Sequence, residues 1–403
     1  MRLEGGFINN LGRVYGIYTL GFLGFVILMA ILEQVGVSAD AIGWMFVGFT
    51  IAIYALIGVL SRTMESSEYY VAGREVPAVF NGMATAADWM SGASFIAMAG
   101  GIYLQGYPYM AFLVGWTGGY VLVASLLAPY LRKFGCYTVP DFIGTRYGGN
   151  LARLCAVIVL VVASFTYVTA QITGTGLVAS RALAIPFNLA VWVGLAGILF
   201  CSMLGGMKAV TWTQVAQYIV LIIAYLIPVF WMSNASDYGL IPQLAQFDAV
   251  LRVQELEAMH GVGTLLPTAE AQAAAGKLAA LKVGINDAST TLMAKWKFLT
   301  LVICMMAGTA SLPHVLMRYF TTASVKAARQ SVGWSLVFIF MLYFTAPALA
   351  TFTKLSLLDP PPRRFCVGAF ASRPARERSG CSQAASHVSV TRRVVRFVAG
   401  RWP

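Results

Sequence analysis

The feature that most limits what this chain can fold into is the recurrence of apolar runs of about 20 residues, the length a helix needs to cross a bilayer. Nine stretches supply it: 14–32, 41–61, 78–103, 109–130, 152–180, 188–206, 210–232, 298–317 and 332–352. Across the 403 residues, apolar types make up 59% and charged types 11%. Soluble domains have about 45–50% and about 25%. A soluble enzyme, a disordered protein and a secreted disulfide scaffold are therefore excluded, and a polytopic all-α membrane protein remains. The first run is too long for a signal-peptide core and has no small-residue cleavage site directly after it, so it counts as a helix. The six cysteines show neither metal-ligand spacing nor a disulfide framework.

Lys and Arg in short loops set orientation. The N-terminal segment and the loops after the second, fourth, sixth and eighth runs hold Arg2, Arg13, Arg62, Arg74, Arg132, Lys133, Arg146, Arg153, Lys208, Arg318, Lys326 and Arg329. Of the short loops on the other side, only one is basic, through Arg181. This pattern predicts a cytoplasmic N-terminus. The net charge of +12 does not point to nucleic acid. Two thirds of it sits in the last 43 residues, which hold nine Arg and one Glu, and the rest of the chain carries only +4.

Two segments do not read as membrane. Asn234–Ala294 has nine charged residues and a net charge of −3, and parity places it outside. It holds two helical patterns. One, about Ile241–His260, puts Leu244, Phe247, Val250 and Leu251 on a face; the other, about Thr268–Val283, has Thr268 as N-cap and Leu278 and Leu281 apolar. The expectation is a folded extramembrane loop without chemistry of its own. After Pro360 the periodicity stops, and an Arg-, Ala-, Ser- and Pro-rich tail would emerge on the side the other basic loops avoid. Such an ending reads as translation in a shifted frame of GC-rich DNA.

Polar residues inside the runs mark the candidate site. Asp88 is the only acidic residue within any of them, and a carboxylate at a helix centre costs about 2.5–3.5 kcal/mol by insertion scales. It lies among small residues, Gly82-Met-Ala-Thr-Ala-Ala-Asp88-Trp-Met-Ser-Gly92, which permit either close helix packing or local unwinding. The second such segment is Met305-Met-Ala-Gly308-Thr-Ala-Ser311-Leu-Pro313-His314, where Pro313 removes a backbone donor. Unwound backbone frees carbonyls for a cation and half-helix N-termini for an anion, and two interrupted helices well separated in one chain point to a transporter site. In 152–180, Tyr167 and Gln171 share a face, with Thr169 and Thr173 nearby. No nucleophile–base pair, metal spacing or phosphate loop suggests an enzyme.

These stretches, with several others, carry a resemblance. Tyr69-Tyr-Val-Ala-Gly-Arg74, Ala87-Asp-Trp-Met-Ser-Gly92, Thr138-Val-Pro-Asp-Phe142 with Thr145-Arg-Tyr147, Ser202-Met-Leu-Gly-Gly-Met-Lys-Ala209 and Trp212-Thr-Gln214 resemble the sodium:solute symporter family from about residue 40 to 359. Gly308-Thr-Ala-Ser-Leu-Pro-His-Val-Leu-Met-Arg318-Tyr-Phe320 is especially close to its acetate permease branch, and the polar insert is similar to that of an enlarged bacterial subfamily. Gln214 departs from the Asp that family members often have.

The resemblance implies a LeuT-like inverted-repeat fold, here incomplete at about nine transmembrane helices. It would comprise two N-terminal helices and a cytoplasmic loop (1–77), a first five-helix repeat (78–233), the insert (234–294), the first two helices of a second repeat (295–359) and the aberrant basic tail (360–403). It implies a sodium ion held by the backbone carbonyls of Ala87 and Met90, with no other cofactor. The sodium's hydroxyl-bearing partners would come from a helix beyond residue 360. A small organic anion would sit near Asp88, Trp89, Ser91, Gln171, Thr309 and Ser311. The implied function is sodium-coupled symport of a small organic solute, such as acetate, across a bacterial inner membrane. An inactive fragment and a membrane solute sensor are the alternatives.

Overall fold

The computed structural model describes residues 10–260 and 288–359. Residues 360–403 and the second helical pattern of the insert lie outside them. The described chain is almost wholly helical, with one isolated bridge pairing Val76 and Thr322. In chain order the helices are α1 (Leu11–Gln34), α2 (Ala39–Leu60), α3 (Ser66–Val71), α4 (Ala78–Trp89), α5 (Met98–Gln105), α6 (Met110–Leu122), α7 (Ala128–Phe134), α8 (Val139–Tyr147), α9 (Asn150–Leu183), α10 (Phe187–Ala235), α11 (Pro242–His260), α12 (Ala288–Ala310), α13 (Pro313–Met317) and α14 (Val325–Leu358).

Six helical stretches among the described residues are long and apolar enough to cross a bilayer. A seventh results if Lys295–Ala310 and Pro313–Thr321, which meet at 47°, form one bent span. Two of the nine expected spans fall outside this set. Residues 78–103 divide into α4 and α5, each too short alone, joined by a wide π-turn at Ala93–Ala97. The run 188–206 opens α10, whose apolar first part, Phe187–Ala196, is also short. Its backbone leaves helical geometry at Gly206 (φ 51°, ψ −138°), the last residue of that run and four before the next one, 210–232, begins. A Cβ at that position would lie 2.5 Å from the Tyr69 carbonyl oxygen, so both the torsion and the contact require glycine.

At about 1.5 Å per residue, α14 is about 51 Å long, and it is the most enclosed of the spans. It lies along both halves of the broken α4–α5 helix. Asn81 Nδ2 donates to Ser331 Oγ at 2.7 Å, Ser94 and Tyr343 share a hydrogen bond at 3.1 Å, and the Lys354 ammonium stands 5.6 Å from the Tyr103 ring centroid. The two segments thus run parallel, one splinting the other across its break. By contrast α9 presents most of its side chains outward, with Val159 and Phe165 among the exposed ones.

The insert helix α11 forms where expected, but its expected face is corrected. Val250 is buried, together with Ala249, Val253 and Leu256, whereas Leu244, Phe247 and Leu251 are exposed. The buried strip includes Gln246 and Glu257. A hydrophobicity-only reading passes over it, because polar groups contribute to the packed side.

Small residues let α6 and α12 approach closely. A Cβ on Gly119 would lie 2.6 Å from both the Met306 carbonyl oxygen and Thr309 Cβ. Gly119→Ala should therefore force the helices apart and destabilise the fold by about 1–3 kcal/mol. The measurement is the apparent melting temperature in detergent. Gly333→Ala, where a Cβ meets nothing within 4 Å, is the control and should not lower it. Equal melting of the two variants would contradict the close approach.

Candidate functional site

The first break follows from the end of α4. At Met90 the torsions leave the helix (φ −77°, ψ 48°), and its N–H makes the last helical bond, to Ala86. Carbonyls in the last turn of a helix have no intrahelical donor, and Ala87 lies in that turn. The residues after it are held by side chains from other helices. The Gly92 N–H donates to Gln171 Oε1 of α9 at 3.2 Å, and Tyr167 of the same helix lies beside Ser91. Trp89 is buried, with its ring edge-on to Tyr120 at 5.1 Å.

The second break lies at Ser311–Leu312, where Leu312 is extended (φ −67°, ψ 117°) and Pro313 opens α13. Ser311 is exposed, and its hydroxyl lies 2.8 Å from the Gly308 carbonyl oxygen, so it satisfies the end of its own helix. Thr309 is buried where α12 meets Gly119. His314 stacks on Tyr167, with ring centroids 4.5 Å apart.

The expected site residues therefore divide. Tyr167 and Gln171, one turn apart on α9, reach Ser91 and Gly92 at the first break, and Tyr167 also meets His314 at the second. Thr309 packs against Gly119 of α6, and the Ser311 hydroxyl bonds the end of its own helix. The remaining polar residues noted on α9, Thr169 and Thr173, bond their own backbone four residues back at 2.9 Å, a habit that lets hydroxyls face an apolar medium.

Asp88 is paired. Its side chain is 10% exposed and that of Arg318 3%; Arg318 Nε donates to Oδ2 at 2.5 Å and Nη2 to Oδ1 at 3.2 Å. Gln214 Nε2 also donates to Oδ1, and Arg318 Nη1 donates to Thr211 Oγ1 at 2.9 Å. By sequence Arg318 is one of the loop cations that set orientation. In the fold it is a buried partner, and Gln214 is its neutral companion on the same carboxylate. A signal for this was present, since a lone buried carboxylate requires a cation and Arg318 sits one residue past the run 298–317.

The Arg318–Thr321 turn is itself anchored. Asn81 Nδ2 donates to the Arg318 carbonyl at 3.2 Å, and Asn81 Oδ1 accepts from Thr321 at 3.0 Å. Val76 N–H donates to the Thr321 carbonyl at 3.3 Å, and Arg132 Nε donates to the Thr322 carbonyl at 2.6 Å. The beginning of α4 and the end of the second broken helix are thus fastened together next to the ion pair.

The family model described as "Sodium:solute symporter family" matches residues 69–372, about three quarters of the chain. An uncharacterised symporter of Cupriavidus necator is 41% identical over an alignment covering 88% of this chain and 63% of that protein. A monocarboxylic acid transporter of Corynebacterium glutamicum is 30% identical, covering 78% of this chain and 55% of that protein. The chain spans about three fifths of the length of these relatives. Among solved structures, a substrate-bound, outward-open Na+-coupled sialic acid symporter superposes with a TM-score of 0.57 at 17% identity, covering 83% of this chain and 65% of that one. This likeness shows the fold, an all-α, LeuT-like membrane architecture. With the family model matched over so much of its length, the chain belongs to the sodium:solute symporter family.

Proposed function

We propose that this protein couples inward movement of sodium to uptake of a small organic anion, a monocarboxylate such as acetate, across the inner membrane of a bacterium, with its N-terminus in the cytoplasm. The observation that carries this reading is the meeting of two broken helices across Tyr167 and Gln171. Family membership and the likeness to a monocarboxylic acid transporter support it. The carbonyl end of α4, with Ala87 and Met90, is the negative pole of a half-helix and suits a cation. The start of the second helical half, at Gly92–Ala93 ahead of α5, is a positive pole and suits a carboxylate. Ser91, Trp89 and Gln171 would supply the remaining contacts. Each net positive charge moved inward gains about 2.3 kcal/mol per 100 mV, roughly fifty-fold accumulation at about 1.4 kcal/mol per tenfold.

Uptake of labelled acetate into proteoliposomes tests the reading. We expect uptake that needs an inward sodium gradient and falls at least tenfold in Ser91→Ala, with the melting temperature unchanged. Uptake indifferent to removal of sodium would overturn the coupling. A parent chain that transports nothing until it is extended to the length of its relatives would show that the activity belongs to the longer protein.

The buried ion pair makes a separate prediction. Removing one partner of such a pair costs about 3–5 kcal/mol, because the other charge is left uncompensated, whereas neutralising both is far milder. Asp88→Asn and Arg318→Gln should each lower detergent stability strongly, and the double variant should recover most of the loss. A double-mutant cycle measures this coupling; simple additivity of the two losses would show that the contact does not stabilise the fold.

A further inference from the structure

A second buried ion pair lies at the far end of the splint. The Glu257 carboxylate of α11 meets the Lys354 ammonium of α14, with side-chain exposures of 0% and 10%. The same ammonium faces the Tyr103 ring, 5.6 Å from its centroid. Tyr103 belongs to α5, the second half of the broken helix. One cluster therefore joins the insert, the splint and the tip of the half-helix that leads out from the site. The insert is fastened to α14 at two further points: Gln243 Nε2 donates to Thr345 Oγ1 at 3.0 Å, and Arg252 Nη2 lies 3.3 Å from Asp359 Oδ2. Between those ends α11 buries Ala249, Val253 and Leu256.

A surface salt bridge contributes about 0–1 kcal/mol and would fasten nothing. This pair differs because both charges are out of water. Lys354 cannot keep its place beside Tyr103 unless its charge is compensated, and Glu257 supplies the compensating charge from a segment outside the membrane runs. From this geometry we infer that Glu257 and Lys354 are positioning residues: through them the polar insert holds α5 against α14 and so fixes one wall of the space beyond the first break. The insert is then a working part of the site, where the sequence suggested a loop without chemistry. The consequence for uptake rests on the transport reading above; the placement of α5 does not.

The test reads that placement directly. Ile102 on α5 and Ala84 on α4 are both fully buried, so a cysteine at each reports on one half of the broken helix. The 403-residue chain in detergent is labelled with a water-soluble maleimide, and the reaction of its own cysteines is subtracted. With Glu257→Gln, we expect the rate at Ile102→Cys to rise at least tenfold and the rate at Ala84→Cys to stay within twofold. The neutral pair Glu257→Gln/Lys354→Met should return the first rate to near the parent value. An unchanged rate at position 102, equal acceleration at both positions, or a double variant as fast as the single overturns the inference. If Glu257→Gln does not accumulate, the reversed pair Glu257→Lys/Lys354→Glu decides: slow labelling at 102 supports the inference and fast labelling refutes it. In proteoliposomes, Glu257→Gln should raise the KM for the solute severalfold, with rescue by the double variant. Absence of all uptake in the parent would count against the transport reading alone, since labelling in detergent needs no transport.

Discussion

A helix interrupted within a bilayer frees backbone N–H and C=O groups where water cannot satisfy them, and such a break is tolerated only when buried in protein or lining a cavity. Much of this structure follows from that constraint. At the break after Trp89 the Gly92 N–H donates to Gln171 Oε1 of α9, and the next turn is tied to α14 by the side-chain hydrogen bond between Ser94 and Tyr343. Two short half-helices with no shared hydrogen-bond ladder also need a common support. That support is α14, which follows them from Ser331 beside Asn81 to Lys354 beside Tyr103. It advances 23 residues while the broken helix advances 22, so the match in rise is close despite the interruption.

The support also explains where the charges lie. One buried pair sits at the break, where Asp88 at the end of α4 meets Arg318, and the other at the α5 tip, where Lys354 beside Tyr103 meets Glu257. Both pairs join segments far apart in sequence. A buried pair is weak evidence of net stability but strongly penalises any arrangement that separates its members. In this position it selects one register of α4 and α5 against their neighbours, a selection that apolar packing between smooth helices makes less sharply.

Much of this was legible in the sequence, and the limits have physical causes. Length and apolarity located seven of the spans, since crossing a bilayer imposes both. Gly92 and Pro313 marked the two breaks because small residues and a missing donor weaken a helix locally. Tyr167 and Gln171 were paired by helical spacing alone. A lone carboxylate signals that it needs a cation, but which distant cation supplies it was not legible. Nothing local links Asp88 to Arg318, 230 residues away, or shows that Thr309 lies against Gly119. The buried face of α11 was missed for a related reason. Its strip includes Gln246, which bonds the Gln243 carbonyl of its own helix, and Glu257, which Lys354 of α14 makes buriable; a hydrophobic pattern discards both.

The electrostatics of the break bear on why coupling would be needed under the proposed function. The side chains brought to it are Ser91, Tyr167, Gln171 and His314, which offer hydroxyls, an amide and an imidazole. Arg318 is already committed to Asp88, so that pair adds no net charge. A carboxylate entering alone would bring an unbalanced charge into a region of low dielectric, where half-helix dipoles return only part of its lost hydration. A sodium ion entering alone at the carbonyl end of α4 would face the same difficulty with the opposite sign. Entering together, the two ions leave the site as neutral as they found it, and each lowers the free energy of the other's binding. By linkage that mutual stabilisation is reciprocal. A site whose own cation is held by its own anion would therefore favour taking up its two ligands as a pair.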